Sequence, residues 1–231
     1  MARQSRAIRT REALEQSAAE VFAREGFVRA SLPLISQAAG VSRGALHFHF
    51  GSKDDLARAI EKEAGARMER VLARVQENQG RAALQLVVDA THGLMEGVAN
   101  DAVVRAGFRL DADVARESSV DLWGRWRAWV RAMLVRAERS GELAAGVSGS
   151  AAGSVVLAVM VGFEALAARD EVWGSPERLD RFWGLMLPLL AAQPHRARAV
   201  SRAGASGAGG APGVSEVHEL REGADGQKPS A

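Results

Sequence analysis

Apolar residues recur at helical spacing along most of the chain. Leu14, Ala18, Val21 and Phe22 stand at i, i+4, i+7 and i+8, the pattern of one buried helix face. Gly26 supplies a residue able to turn left-handed and stop that helix, and Phe27 is placed to fold back on it. Ser31 is the expected N-cap of a short helix ending at Gly40, although Leu34 stands where a capping box takes Glu or Gln. Ser42 caps a second short helix, Arg43 to about Phe50. Ser52 caps a long one that carries Leu56, Ile60, Ala64, Met68, Val71 and Val75 along one face, with Asp55 at the capping-box distance. Beyond Gly80 the periodicity predicts helices at about 80–98, 101–111, 119–140, 150–169 and 176–192, the later ones separated by Gly141, Gly149 and Gly174-Ser175. No stretch alternates polar and apolar residues with β-branched enrichment, and Tyr is absent. Eight or nine helices and no sheet make the expected fold class all-α.

Composition narrows the class. With 47% apolar and 25% charged residues over 231 positions, the chain has the balance of a soluble globular protein. Lys+Arg 30 against Asp+Glu 28 leaves a formal +2, so a nucleic-acid role has to come from local charge. Residues 1–60 hold nine basic and six acidic side chains, 9 − 6 = +3. The absence of Cys excludes disulfides, thiolate zinc sites and cysteine nucleophiles, and fits a cytoplasmic setting. Arg3, Arg6, Arg9 and Arg11 are followed by Glu12 and Glu15 rather than by an apolar run, so no signal peptide is expected. The uncharged stretch Leu143 to Phe163 has the length of a membrane span. Its first half has turn composition and only Val155 to Phe163 is densely apolar, so a buried helix and no membrane partner are expected. After Pro194, the Arg196, Arg198 and Arg202 run gives way to a Gly/Ala/Ser segment, Gly204 to Gly213, and a polar end expected to be disordered.

The stretch Ser31 to Lys53 is the most informative. Two short helices joined by Ala39-Gly40-Val41-Ser42 fit a helix-turn-helix, with Gly40 for the turn and Val41 plugging the angle between the helices. A tight αα-corner in any helical bundle shares this bare pattern. In a helix-turn-helix the start of the second helix meets base edges in the major groove. Ser42, Arg43, Gly44 and Ala45 then form the reading end: Arg43 can take a guanine edge, and Gly44 and Ala45 let the backbone approach. His47, His49 and Lys53 lie toward the far end, where phosphate contacts fix register. No metal site is expected from His47 and His49, which diverge at i, i+2 with no further ligand at suitable spacing. Gly149-Ser150-Ala151-Ala152-Gly153 is not a nucleophile elbow, since its second Gly comes one residue late, and phosphate-binding Gly-rich loops are absent. Neither an enzyme nor a cofactor is expected.

The series Ala38-Ala39-Gly40-Val41-Ser42-Arg43-Gly44-Ala45-Leu46-His47-Phe48-His49-Phe50-Gly51-Ser52-Lys53-Asp54-Asp55-Leu56 resembles the DNA-binding domain of the TetR family of repressors. Ala19 to Phe27 resembles that family's first helix and its Gly-aromatic stop, and the likeness covers roughly residues 7–60. It implies a homodimer that binds a double-stranded, pseudo-palindromic operator and releases it for a small-molecule inducer. The organisation implied is a head at 1–55, a ligand-binding and dimerisation body at 56–193, and a tail at 194–231, with the fourth helix linking head to body through about residue 77. His47 departs from the family's usual Tyr.

Val104-Arg105-Ala106-Gly107-Phe108-Arg109-Leu110, followed by Trp123, Trp126 and Trp129, resembles the γ-butyrolactone receptor branch of that family. In that branch a Trp after this segment lines the ligand pocket, and Trp126 matches it by spacing; Trp123 and Trp129 stand at i±3 as rivals for the core. Ala64 and Phe163 fall at two further ligand positions, where the branch often carries Gln and Thr. Their loss removes hydrogen-bonding groups, which implies either a γ-butyrolactone receptor or a pseudo-receptor answering to an antibiotic or another signal. Glu164 is a candidate for a cationic ligand or an exposed carboxylate. A stripe of Ala151, Ala152, Val155, Ala158, Val159, Gly162, Ala165 and Leu166, with a second face of Leu179, Phe182, Trp183, Met186, Leu189 and Leu190, predicts a four-helix dimer interface. The alternative reading is a DNA-binding regulator without a small-molecule effector, and activation in place of repression stays open.

Overall fold

The computed structural model describes residues 2–77, 80–167 and 169–192. The expected tail at 194–231 lies outside the described residues. The elements are α1 (Ala2–Arg29), α2 (Leu32–Ala38), α3 (Arg43–His49), α4 (Lys53–Gln76), α5 (Ala83–Asn100), α6 (Ala102–Asp111), α7 (Leu122–Arg139), α8 (Gly149–Ala167), a 3-10 turn (Glu171–Gly174) and α9 (Pro176–Leu190). Among the described residues there is no sheet, only an isolated antiparallel bridge between Leu143 and Ala191.

The start signals in the head act as read. Ser31, Ser42 and Ser52 each accept a hydrogen bond from the backbone N–H three residues on, at Leu34, Ala45 and Asp55, satisfying donors that a helix start leaves orphaned. The Ser52 hydroxyl also donates to the Asp55 carboxylate at 2.8 Å. α1 breaks at Gly26 (φ 75°, ψ 175°), and Phe27 beyond the break stacks on Phe22 with ring centroids 6.1 Å apart. Gly40, at φ 64°, makes the turn between α2 and α3 in a conformation that costs a glycine nothing.

One apolar core runs from Leu14 in α1 to Ala191 beyond α9. The boundary expected at residue 55 falls inside α4, which buries Leu56, Ala57 and Ile60 toward its start and Met68 and Val75 farther along. α6 packs on both α1 and α4. The crossing with α4 depends on Gly107, where an added Cβ would overlap the Cβ of Ala64.

α8 departs from expectation. It is long and apolar enough to cross a membrane, yet only 22% of its most apolar window is buried. Ala152, Gly153, Val156 and Met160 face the core, while Val155, Val161 and Leu166 are exposed. α9 divides similarly: Leu179, Trp183, Leu187 and Leu190 are core, and Leu185 and Leu189 face outward. Ala152, Leu179, Trp183 and Leu190 therefore leave the predicted interface, because the chain's own packing already consumes them.

Candidate nucleic-acid interface and ligand site

α3 carries one buried anchor, Leu46, and ends at the buried Phe50, and these two side chains fix which way the helix faces. Successive helical residues step by 100°, so Gly44 and Phe48 stand opposite Leu46, with His47 at the flank and Arg43 in the first turn. All four are exposed, as is Ser42; Ala45 and His49 are half-covered. Of the groups predicted to read and grip DNA, Ser42, Arg43, Gly44 and His47 thus stand exposed, Ala45 and His49 are half-covered, and Lys53 is engaged elsewhere. Arg11 reinforces the far end from α1, its guanidinium lying 4.5 Å above the Phe50 ring.

Lys53 is placed otherwise than its spacing suggests. Its ammonium donates to the carbonyl oxygens of Phe27 at 2.7 Å and Ala30 at 2.9 Å, and lies 4.3 Å over the Phe27 ring. It ties the start of α4 to the end of α1, where a helix leaves carbonyls without partners. Phosphate contact would require it to leave those carbonyls.

Phe48 is the outward residue that sequence reading passed over. Its signal was available: with Leu46 and Phe50 turned inward, the residue midway between them must face away.

Head and body are joined by two arginines from α6 and the segment after it. The Arg109 guanidinium donates to the Ala23 carbonyl at 2.7 Å, beside the break in α1. Arg116, in the segment leading to α7, forms a bidentate pair with the fully buried Glu61 carboxylate, which also accepts from the Ser119 hydroxyl at 2.7 Å. The same guanidinium lies 5.2 Å from the Phe27 ring centroid, and its Nε stands 3.8 Å from Asp54. Neither role had a sequence signal, since both partners are distant along the chain.

The three predicted ligand residues have different immediate neighbours. Trp126 is fully buried and stacks on Trp129, with centroids 5.8 Å apart and planes 13° from parallel. Ala64 is buried against Gly107, whose missing side chain would also approach Leu122 within 3.3 Å, one turn before Trp126. Ala64 is therefore a packing seat between α4 and α6, near Trp126 but occupied by the helix crossing. Phe163 belongs to a separate aromatic group, facing Phe182 and Trp173, each with centroids 6.3 Å away.

One polar feature distinguishes the tryptophans. The Trp183 indole N–H donates to the Thr91 hydroxyl at 2.8 Å. The buried indole N–H groups of Trp126 and Trp129 have no hydrogen-bond partner. A buried donor left unpaired costs about 1–3 kcal/mol. Glu164 is half-buried on α8; burial pushes its carboxyl above the ordinary value, and the Arg109 guanidinium pulls it part of the way back. A separate open groove of ≈ 450 Å³ runs along the outward side of α7, lined by Gly124, Arg127, Ala128, Arg131, Ala132 and Val135, and does not include Trp126.

Comparison with known proteins agrees with this geometry. Residues 16–60 match the family described as bacterial regulatory proteins, tetR family. The chain is 29% identical over 195 residues to the A-factor receptor protein of Streptomyces griseus, covering 83% of this chain and 67% of that one. It is 29% identical over 166 residues to the HTH-type transcriptional repressor BepR of Brucella suis, covering 68% of this chain and 79% of the relative. Among solved structures, a gamma-butyrolactone receptor described as ArpA-like superposes with a TM-score of 0.73 at 26% identity, over 84% of this chain and 94% of the other. CprB of Streptomyces coelicolor, solved in complex with its biological operator sequence, superposes with a TM-score of 0.71 at 27% identity, over 84% and 94% of the two chains.

Proposed function

We propose that this chain, which belongs to the tetR family of bacterial regulatory proteins, is a homodimeric, cytoplasmic repressor that releases its operator when a small molecule enters its helical body. The observation that carries the DNA half of this reading is the outward surface of α3, where Arg43, Gly44 and His47 stand clear of the head's own packing. Arg43 suits a guanine edge, and His47 and the Ser42 hydroxyl suit phosphate or base acceptors. Two copies related by a dyad would meet successive major grooves of a pseudo-palindrome.

The ligand half is supported by Trp126. A buried, flat, apolar face bearing an unspent N–H donor suits a small apolar molecule with a carbonyl acceptor, of the γ-butyrolactone type or a related antibiotic. The likeness to the A-factor receptor and to gamma-butyrolactone receptors supports the same class. Such a ligand has to part Trp126 from its neighbours, so it prefers a body in which α7 has moved. The segment before α7 carries Arg116, which grips Glu61, Asp54 and Phe27. A displaced α7 would therefore tilt the head and spoil the spacing of two heads on DNA. The ligand acts only to the extent that it binds this state better. The tight seat of Ala64 against Gly107 favours the second reading, a repressor with no effector, because it leaves no room at that predicted ligand position.

A gel-shift on duplexes from upstream of the chain's own gene, repeated with γ-butyrolactones and with culture extract, tests both halves. The expected result is a sequence-specific complex dissolved by one of these additions. Arg43→Ala should weaken the specific complex by about 1–3 kcal/mol and relax its sequence preference. Trp126→Phe keeps an apolar ring but removes the donor, and should leave operator binding intact while blunting release. A specific complex that no addition dissolves would sink the ligand half alone.

A further inference from the structure

Phe48 is 81% exposed, while the apolar side chains on either side of it, Leu46 and Phe50, are 1% and 4% exposed. It sits one turn after Gly44 on the surface of α3 already assigned to DNA. Its aromatic neighbour among the described residues is His49, edge-on with centroids 5.1 Å apart. A phenyl ring left in water sacrifices the burial that its neighbours gain. Nothing on its own side of the helix crowds it: a Cβ at Gly44 would meet only the Ser42 hydroxyl, at 3.9 Å.

We propose that Phe48 is a sequence-determining residue that packs its ring against the 5-methyl group of a thymine in each operator half-site. This rests on the reading of α3 as the recognition helix. A phenyl ring has no hydrogen-bonding group, so it cannot read donors and acceptors. Across the major groove the thymine methyl is the one apolar group the base edges offer. Phosphate oxygens are unsuitable partners for a bare ring, and His47 next to it and Arg43 in the first turn already supply the polar contacts. Within one half-site the division of labour is then complete: Arg43 takes a hydrogen-bonding edge, and Phe48 requires a T·A pair nearby.

The test uses the full chain. Operators are selected from a random duplex library, and each thymine of the winning sequence is then replaced in turn by deoxyuridine, which removes only the methyl. Binding is measured for the wild type, Phe48→Ala and Arg43→Ala. A methyl buried against apolar surface is worth about fourfold in affinity, so one thymine per half-site should show about that loss in the wild type and about sixteenfold when both are replaced. Phe48→Ala should show no loss at those thymines, while Arg43→Ala keeps it. Because Phe48 is exposed, the variant should fold, and the deoxyuridine series on the wild type stands without it. An operator insensitive to every methyl overturns the proposal, as does a Phe48→Ala protein that keeps the methyl dependence or loses affinity equally for all duplexes. A wild type that selects no sequence at all refutes instead the base-reading role of α3.

Discussion

The decisive residues act through where their polar groups end. Lys53 spends its charge on the carbonyls of Phe27 and Ala30, so a cation that spacing assigns to DNA holds the head together instead. Arg116 and Glu61 form a pair buried almost completely, at 3% and 0% side-chain exposure. Removing one partner strands a buried charge, so Arg116→Met should cost about 3–5 kcal/mol in urea denaturation, and Glu61→Leu combined with it should recover most of that loss. Glu164 gives a pH signature of the opposite kind to most carboxylates. Its value is raised on folding, so the folded state holds the proton more tightly. Its favourable contribution is present below the ordinary carboxylate range and is lost as pH rises from there through the raised value. Glu164→Gln should therefore raise the melting temperature at pH 7, and the gain should vanish near pH 4. An equal gain at both values would place the effect elsewhere than in titration.

Between elements, α6 packs on both α1 and α4, and its crossing with α4 sets how near those two helices lie. It is close because Gly107 meets Ala64 with no side chain between. Gly107→Ala should destabilise the fold by about 1–3 kcal/mol, and Ala64→Gly in the same chain should restore much of it by reopening the seat. Thermal melts of the two single variants and the double variant measure this coupling directly. The helix starts were legible beforehand because Ser31, Ser42 and Ser52 cap through neighbours only three residues away. The α4–α6 crossing was not, because Ala64 and Gly107 are ordinary small residues until the two helices are brought together.

For the whole molecule, the outward faces of α8 and α9 matter most. Val155, Val161, Leu166, Leu185 and Leu189 leave apolar surface open in a single chain. Exposed apolar side chains on two helices suit an interaction surface, and a second copy is the partner that the proposed function requires. Val161→Glu should leave the monomer's core intact, since the side chain is 46% exposed, and should shift the protein to a monomer in sedimentation experiments. Operator affinity should fall with it, because a lone head makes half the contacts. A dimeric Val161→Glu protein with full affinity would move the interface away from α8.

What the sequence determined alone was whatever rests on local spacing: the all-α class, nearly every helix and the three serine caps. Those follow from interactions spanning a few residues, where periodicity and capping chemistry suffice. The likeness to a family was legible for the same reason, in the run from Ala38 to Leu56. Only the tertiary structure decided that Lys53 turns inward, that Ala64 is a packing seat and that Phe163 packs on Phe182 and Trp173. It alone paired Arg116 with Glu61, satisfied Trp183 and left the Trp126 donor unspent. Lys53, Ala64, Arg116 and Trp183 meet partners tens of residues away, and spacing along the chain carries no information about which distant group a side chain will meet.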